Sequence, residues 1–254
     1  MTHWTPARTQ LDDAAAAAFA TLDAVFALEG EPVASDPLSR VLRVTVGGRR
    51  YYVKRYHRAA KNPLRRWFGR SRAQAEWENL QHFAAWGIPT ATLVGWGLER
   101  RHGAFHRGAL ITAEIPDSTN LETLAAHSPG LLHDRETFER ISRQAARIAR
   151  ALHAHGFTHN DLHWRNLLYR QDSGEVFLID CPTGRFWYGP FLRYRIAKDL
   201  ASLDKTARRI LRRTQRLRFY LHYAGHARLD AADKAAIRRI MHAFEHRLRR
   251  KGRL

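Results

Sequence analysis

The sequence predicts an α+β protein in two lobes, a small strand-rich lobe over residues 1–115 and a mainly helical lobe over residues 116–254. Three observations predict it. Up to about residue 115, apolar residues alternate in short runs punctuated by glycine turns. Beyond that point they recur at helical spacing. Between the two regimes lies "PDSTN", a polar stretch opened by proline.

The elements follow in order. "AAAAAFATLDAVFAL" has the length of a secretory signal core, but Asp12 and Asp13 precede it and Asp23 interrupts it. A signal needs a basic start and an unbroken apolar stretch, so this run reads as one amphipathic helix. In "RVLRVTVGGRRYYVKRY", Leu42, Val44 and Val46 share a face, Gly47-Gly48 makes a two-residue hairpin turn, and Tyr52, Lys54 and Tyr56 share a face of the return strand. "AQAEWENLQHFAAWG" places Ala75, Leu80, Phe83 and Ala84 at helical spacing and stops at Gly87. "IPTATLVGWGLE" and "GALITAEI" read as further strands. The longest helical pattern runs from about Arg135 to His155, with Phe138, Ile141, Ala145, Ile148 and Leu152 on one stripe. "NLLYRQDSGEVFLID" reads as two short strands joined by a turn, and from about Lys198 the chain is helical and basic.

Composition narrows the function. A chain with 43 Lys+Arg against 24 Asp+Glu carries a net charge of +19, which calls for an anionic partner: nucleic acid, an acidic membrane surface or a phosphorylated substrate. From Lys205 on, 16 Lys+Arg face 3 Asp+Glu, so most of that charge sits in the last fifth. There, "ARRILRRTQRLRFYLHYAG" reads as a helix with a basic and an apolar face, and "NPLRRWFGRSR" sets Arg65, Arg66, Arg70 and Arg72 beside Trp67 and Phe68. The single cysteine, Cys181, excludes an internal disulfide framework and suits a reducing compartment. No stretch approaches the ~18 apolar residues of a membrane span, so a soluble or peripheral protein is expected.

The chemistry concentrates in "THNDLHWRNLLY", for which three readings compete: a metal site, a phosphoryl-transfer site, or a polar loop without chemistry. His159, Asp161 and His163 alternate in a pattern open to a zinc reading, but no further His or Cys cluster adjoins them. Phosphoryl transfer needs a cation on the nucleotide phosphates, a carboxylate facing the acceptor hydroxyl and oxygen ligands for Mg2+. Asp161 lies in a loop suited to the second role. Asn166 and Asp180, brought together by a hairpin, offer the hard oxygens. Lys54 offers the cation, and an acid on the following helix would hold it. Glu76 and Glu78 cannot both turn to it, and Glu76 is favoured because Trp77 and Leu80 then fall toward the sheet.

These residues carry a resemblance. "HNDLHWRN" resembles the catalytic loop H-x-D-x-x-x-x-N of protein-kinase-like enzymes, "LID" the strand end with the metal-binding aspartate, and "YYVKRY" the strand with the phosphate-binding lysine. His163, where protein kinases carry lysine, resembles small-molecule kinases. The run "YYVKRY…RAQAEWENL…GIPTA…HNDLHWRNLL…LID…KDLASL", over roughly residues 38 to 205, is most similar to the bacterial lipopolysaccharide kinase family. The resemblance implies a bilobal protein-kinase-like fold with ATP and Mg2+ in the cleft, and a heptose or Kdo sugar of the inner core as acceptor. It implies that Lys54 binds phosphate, Glu76 positions it, Asp161 is catalytic, and Asn166 with Asp180 holds Mg2+. Glu114 and Ile115 would meet adenine through backbone groups, and Asp199 would brace the catalytic loop.

There are departures. "LEGEPVASDPLSRV" has one glycine where a Gly-rich loop would lie, and Asp180 is followed by Cys181-Pro182 instead of Phe-Gly. Both point away from a eukaryotic-type protein kinase. The expected partners are a lipid-linked glycan and the anionic cytoplasmic face of the inner membrane, not nucleic acid, with the protein a monomer. "TGRFWYGPFLRYR" offers Arg185, Trp187, Tyr188 and Arg193 to a phosphorylated sugar. The rival readings are an atypical protein or small-molecule kinase, and a weakly active pseudokinase that binds an anionic surface.

Overall fold

The computed structural model describes residues 1–6 and 11–249. It divides into two compact units. The first comprises Met1–His82, Thr90–Ile115 and Asp180–Pro182; the second comprises Phe83–Pro89, Pro116–Ile179 and the chain from Thr183 on.

The first unit is built on a six-stranded antiparallel sheet. Its strands are β1 (Thr2–Pro6), β2 (Glu31–Ser35), β3 (Ser39–Val46), β4 (Arg49–Tyr56), β5 (Leu93–Arg101) and β6 (Ala104–Ala113), in the order β1-β5-β6-β4-β3-β2. Val46 pairs with Arg49 across Gly47 and Gly48, whose φ values of +58° and +74° are what the tight hairpin demands. Because side chains alternate along a strand, β4 serves two faces. Tyr51 and Val53 join Leu42, Val44 and Ile111 in a core closed by Phe19, Leu22 and Val25. Lys54 and Tyr56 face the other way, toward α3 (Arg72–Ala85).

Two features of this unit depart from expectation. The alanine-rich run is not one helix but two, α1 (Asp13–Ala18) and α2 (Leu22–Ala27). Thr21 breaks it, its hydroxyl capping α2 by accepting from the Ala24 N–H at 3.1 Å. The break lets Phe19, Leu22 and Val25 all reach the sheet. β1 is an added edge strand with no alternation of its own. It is held by Trp4, whose indole donates to the Phe19 carbonyl at 2.8 Å and whose ring lies over Gly95 and Gly97.

The second unit is mainly helical: α4 (Leu121–His127), α5 (Pro129–His133), α6 (Arg135–Ala154), α7 (Gly189–Ile210), α8 (Arg213–Ala224) and α9 (Ala231–Arg249). A small sheet joins β7 (Ser118–Asn120), β9 (Leu167–Arg170) and β10 (Val176–Leu178), and β8 (Phe157–Thr158) pairs with β11 (Arg185–Phe186). The α6 stripe is buried from Phe138 to Leu152, Asp134 caps its start, and Gly156, at φ +69°, lies just past its end.

The basic stretch after Lys205 is not one amphipathic helix. α7 ends at Ile210, Leu211 is extended, and α8 starts after Arg212. Arg208 and Arg216, one on each helix, converge on Asp204 at 2.6 Å each, so part of the expected basic face is neutralised within the unit. Among the described residues, no helix is long and apolar enough to cross a membrane.

A Cβ built on Gly97 would lie 2.3 Å from the His3 carbonyl oxygen and 2.9 Å from the Trp4 Cα. We therefore expect Gly97→Val to push β1 off the sheet edge and lower stability by ~1–3 kcal/mol. Urea denaturation checks this, and an unchanged midpoint would contradict the docking of Trp4.

Candidate active site

In the first unit, three charged side chains meet. Lys54 Nζ lies 3.1 and 2.9 Å from the two carboxylate oxygens of Glu76, and it is ion-paired with Asp180. The Tyr56 hydroxyl donates to Glu76. Helix periodicity explains why Glu76 is chosen: Glu78 is turned about 200° away around α3 and pairs instead with Arg70 at 2.5 Å. Asn79, on the next turn of α3, donates its Nδ2 to the Cys181 carbonyl at 2.7 Å and so fixes the short segment bearing Asp180. Asp180 itself adopts φ +60°, a conformation that aspartate tolerates better than most residues.

The cluster holds one ammonium against two carboxylates, and it is sunk unevenly. The Glu76 side chain is 4% exposed and that of Asp180 38%. Burial pushes the Glu76 carboxyl up to about 7, against the pull of Lys54 and with Asp180 adding to the rise. Burial also works to strip Lys54 of its proton. Glu76, with Tyr56 and Asp180 behind it, outweighs that and holds the ammonium well above its ordinary value. Burial is thus the leading cause of the rise at Glu76, whereas at Lys54 the neighbouring acidic groups overcome it.

In the second unit, the loop after β8 is fixed from beneath by Asp199, which is 1% exposed. Its two oxygens accept from the backbone N–H groups of His159 at 2.7 Å and Asn160 at 3.0 Å. Asn160 sits at φ +63°, and its amide donates to the Thr183 carbonyl at 2.8 Å. The next residue, Asp161, presents a carboxylate that is 32% exposed, with the Arg165 guanidinium at 2.6 Å and His163 Nε2 at 3.3 Å. Asn166 is buried and donates its Nδ2 to the Asp161 carbonyl at 2.8 Å, which turns its amide oxygen away from that contact.

The structure thus gathers Lys54, Glu76 and Asp180 in one cluster and Asp161 with Asn166 in another. Glu114 is engaged elsewhere: its carboxylate pairs with Arg50 and accepts from Tyr52, and its N–H is donated to the Arg50 carbonyl at 2.9 Å. Ile115 follows it at the end of its segment. Tyr56, Asn79 and Arg165 were missed in the sequence, though Arg165, four residues after Asp161, had a readable spacing.

The zinc alternative fails among the described residues, because His159, Asp161 and His163 do not bring their ligand atoms together, and the buried His159 ring stacks on Phe83 with centroids 6.2 Å apart. Among the described residues, the ligand-spaced group is His226, Asp230 and Asp233. Asp230 and Asp233 bond each other's backbone N–H at the start of α9, which makes them a helix cap. Where a Gly-rich loop would lie, β2 and β3 are joined by a turn in which Asp36 accepts from the N–H groups of Leu38 and Ser39, each at 2.7 Å.

A carboxyl that holds its proton more tightly in the folded chain contributes stability that is complete below its unfolded value, near 4.5, and lost as pH rises to about 7. Glu76→Gln imitates the protonated form. Its stability relative to the parent should rise across that window and then level off, as read by urea midpoints. A parent that gains on the variant as pH rises would contradict the buried, surplus-acid description.

Residues 28–223 match the model of the lipopolysaccharide kinase (Kdo/WaaP) family. The lipopolysaccharide core heptose(I) kinase WaaP of Pseudomonas aeruginosa is 29% identical over 218 residues, a match covering 79% of this chain and 79% of that protein. A solved structure, WaaP in complex with acyl carrier protein, shares the fold at a TM-score of 0.65 and 24% identity, over 87% of this chain and 92% of that one. The chain belongs to the lipopolysaccharide kinase (Kdo/WaaP) family and is a phosphotransferase with a kinase-like α+β fold that acts on a sugar hydroxyl.

Proposed function

We propose that this kinase transfers the γ-phosphoryl group of ATP to a hydroxyl of an inner-core lipopolysaccharide sugar, heptose or Kdo. The observation that carries the reading is Lys54, an ammonium held between the carboxylates of Glu76 and Asp180. Lys54 neutralises phosphate oxygens, and Glu76 with Tyr56 holds its ammonium in place. Asp161, steadied by Arg165 and His163, aligns the acceptor hydroxyl and receives its proton as the hydroxyl oxygen bonds to the γ-phosphorus and the bond to the departing ADP breaks. Glu114 and Ile115 meet the adenine through backbone groups, on the Glu114 side through the carbonyl, since the N–H is already committed.

The donor set also fits Mg2+. Asp180 and Asn166 supply a carboxylate and an amide oxygen, both hard ligands, and the surplus negative charge around Lys54 suits a second cation. When bound, Mg2+ supplies charge neutralisation on the phosphates. For the acceptor, the exposed Arg185, Tyr188 and Arg193 offer cations and an aromatic face to an anionic sugar, with Tyr188 80% exposed, while the half-buried Trp187 ring lies under Arg195. The working location is the cytoplasmic face of the inner membrane, where basic residues attract an anionic leaflet.

An acyl carrier protein is proposed as a second partner. The second unit holds an apolar cavity of about 240 Å³ between α6, α7, α8 and α9, lined by Phe138, Ile141, Leu200, Leu203 and Ile240 and edged by Arg213. Such a cavity suits an acyl chain, and its basic edge suits an acidic carrier.

Purified enzyme, ATP, Mg2+ and inner-core glycolipid test the reaction. Asp161→Asn should cut kcat by roughly 10²–10⁴-fold while nucleotide affinity holds. Asp180→Asn should weaken nucleotide binding in Mg2+ as well. Full turnover in Asp161→Asn, or phosphate appearing on protein and not on sugar, would contradict the proposal.

A further inference from the structure

The segment from His57 to Ser71, "HRAAKNPLRRWFGRS", contains Arg58, Lys61, Arg65, Arg66 and Arg70 and no acidic residue. It also holds three of the most exposed large apolar side chains in the first unit: Leu64 at 67%, Trp67 at 51% and Phe68 at 74%. Isolated exposed apolar residues are ordinary; three within five positions, framed by cations, are not.

The segment is also built to hold them out. Its ends are pinned, since the Arg72 N–H is donated to the Ala59 carbonyl at 3.0 Å and Ala59 and Ser71 are buried. Between them, Pro63–Arg66 forms one turn of 3-10 helix, started by Asn62, whose side chain accepts from the Leu64 N–H at 2.9 Å. The N–H groups of Trp67 and Phe68 both return to the Leu64 carbonyl, at 3.1 and 3.2 Å. Gly69, at φ +82°, then reverses the chain while the Arg65 side chain lies over it. The three apolar side chains thus protrude from a fixed turn. Among the described residues, no carboxylate is within ion-pair distance of Lys61, Arg65 or Arg66, whereas Arg70 pairs with Glu78.

We propose that this turn is a membrane-docking wedge for an anionic phospholipid leaflet, with Leu64, Trp67 and Phe68 entering the headgroup–acyl boundary and Lys61, Arg65 and Arg66 meeting lipid phosphates. The chemistry selects this occupant. Tryptophan and phenylalanine flanked by arginine match the interface, where one layer is apolar and the next is anionic. A purely electrostatic partner would leave the apolar tips without a purpose, and an apolar protein partner would leave the unpaired cations without one. The wedge builds on the lipid-linked acceptor proposed above, but its test does not use that acceptor.

The test is co-sedimentation of the full chain with vesicles of phosphatidylcholine alone or mixed with phosphatidylglycerol. The parent should bind the mixed vesicles and only weakly the neutral ones. Trp67→Ser/Phe68→Ser and, separately, Arg65→Gln/Arg66→Gln should each lower binding by roughly tenfold or more. Brominated acyl chains should quench tryptophan fluorescence in the parent, and Trp67→Phe should keep the binding but lose most of the quenching. Unchanged binding in the Trp67→Ser/Phe68→Ser variant, or quenching that survives Trp67→Phe, would overturn the wedge. So would binding of an acidic protein, and not of vesicles, through these residues. The wedge variants should retain activity on a delipidated acceptor; inactivity of the parent on it would count against the proposed function and leave the vesicle result to decide this inference.

Discussion

A buried carboxyl group held against an ammonium is the constraint around which the first unit is arranged. Glu76 sits almost wholly out of water, where an unpaired anion would be untenable. Lys54 compensates it through two oxygens and Tyr56 adds a hydrogen bond. Such a pair contributes little net stability, yet removing one partner typically costs about 3–5 kcal/mol, because the other charge is stranded. The arrangement therefore fixes β4 against α3. It also fixes the ammonium to which the proposed function assigns the phosphate, and a preset charge is where electrostatic catalysis gains most.

The second constraint is strain that the surroundings hold in place. Asn160 and Asp180 both adopt left-handed backbone conformations, and each is locked by a buried polar group. Asp199 grips the loop at Asn160 through two N–H groups, and Asn79 grips the chain just after Asp180 through the Cys181 carbonyl. Residues in such conformations persist only where their neighbours over-determine them, and they concentrate at functional sites. Here one immediately precedes Asp161 and the other is Asp180 itself, both residues to which the proposed chemistry assigns roles. His153 extends the grip beneath Asp199, lying 3.6 Å from it and 2.9 Å from the Tyr223 hydroxyl, so α6, α7 and α8 all bear on one loop.

Much of this was legible in the sequence, for physical reasons. Alternation around Gly47-Gly48 announced the β3–β4 hairpin, and the stripe from Phe138 to Leu152 announced α6, because each face is buried against one core. That Glu76 and Glu78 could not both turn toward β4 followed from a period of 3.6 residues, and the places of Trp77 and Leu80 favoured Glu76. The lipopolysaccharide kinase resemblance rested on the order and spacing of several short motifs, and the family match now covers residues 28–223. What stayed hidden depends on distant partners. β1 has no pattern because its hold is Trp4 lying across two glycines of β5. The break at Thr21 competes with an alanine run that favours helix throughout. The split between α7 and α8 is tied to Asp204, which draws an arginine from each side of it, and no local propensity records that.

That this chain phosphorylates a sugar of the lipopolysaccharide core is open to direct measurement. Mass spectrometry of the core glycolipid from cells with the gene, without it, and complemented by the Asp161→Asn form tests it most directly. The account predicts one phosphate present in the first and absent from the other two, with the sugar backbone unaltered. Identical glycolipid masses in all three, with the protein present and folded, would contradict it.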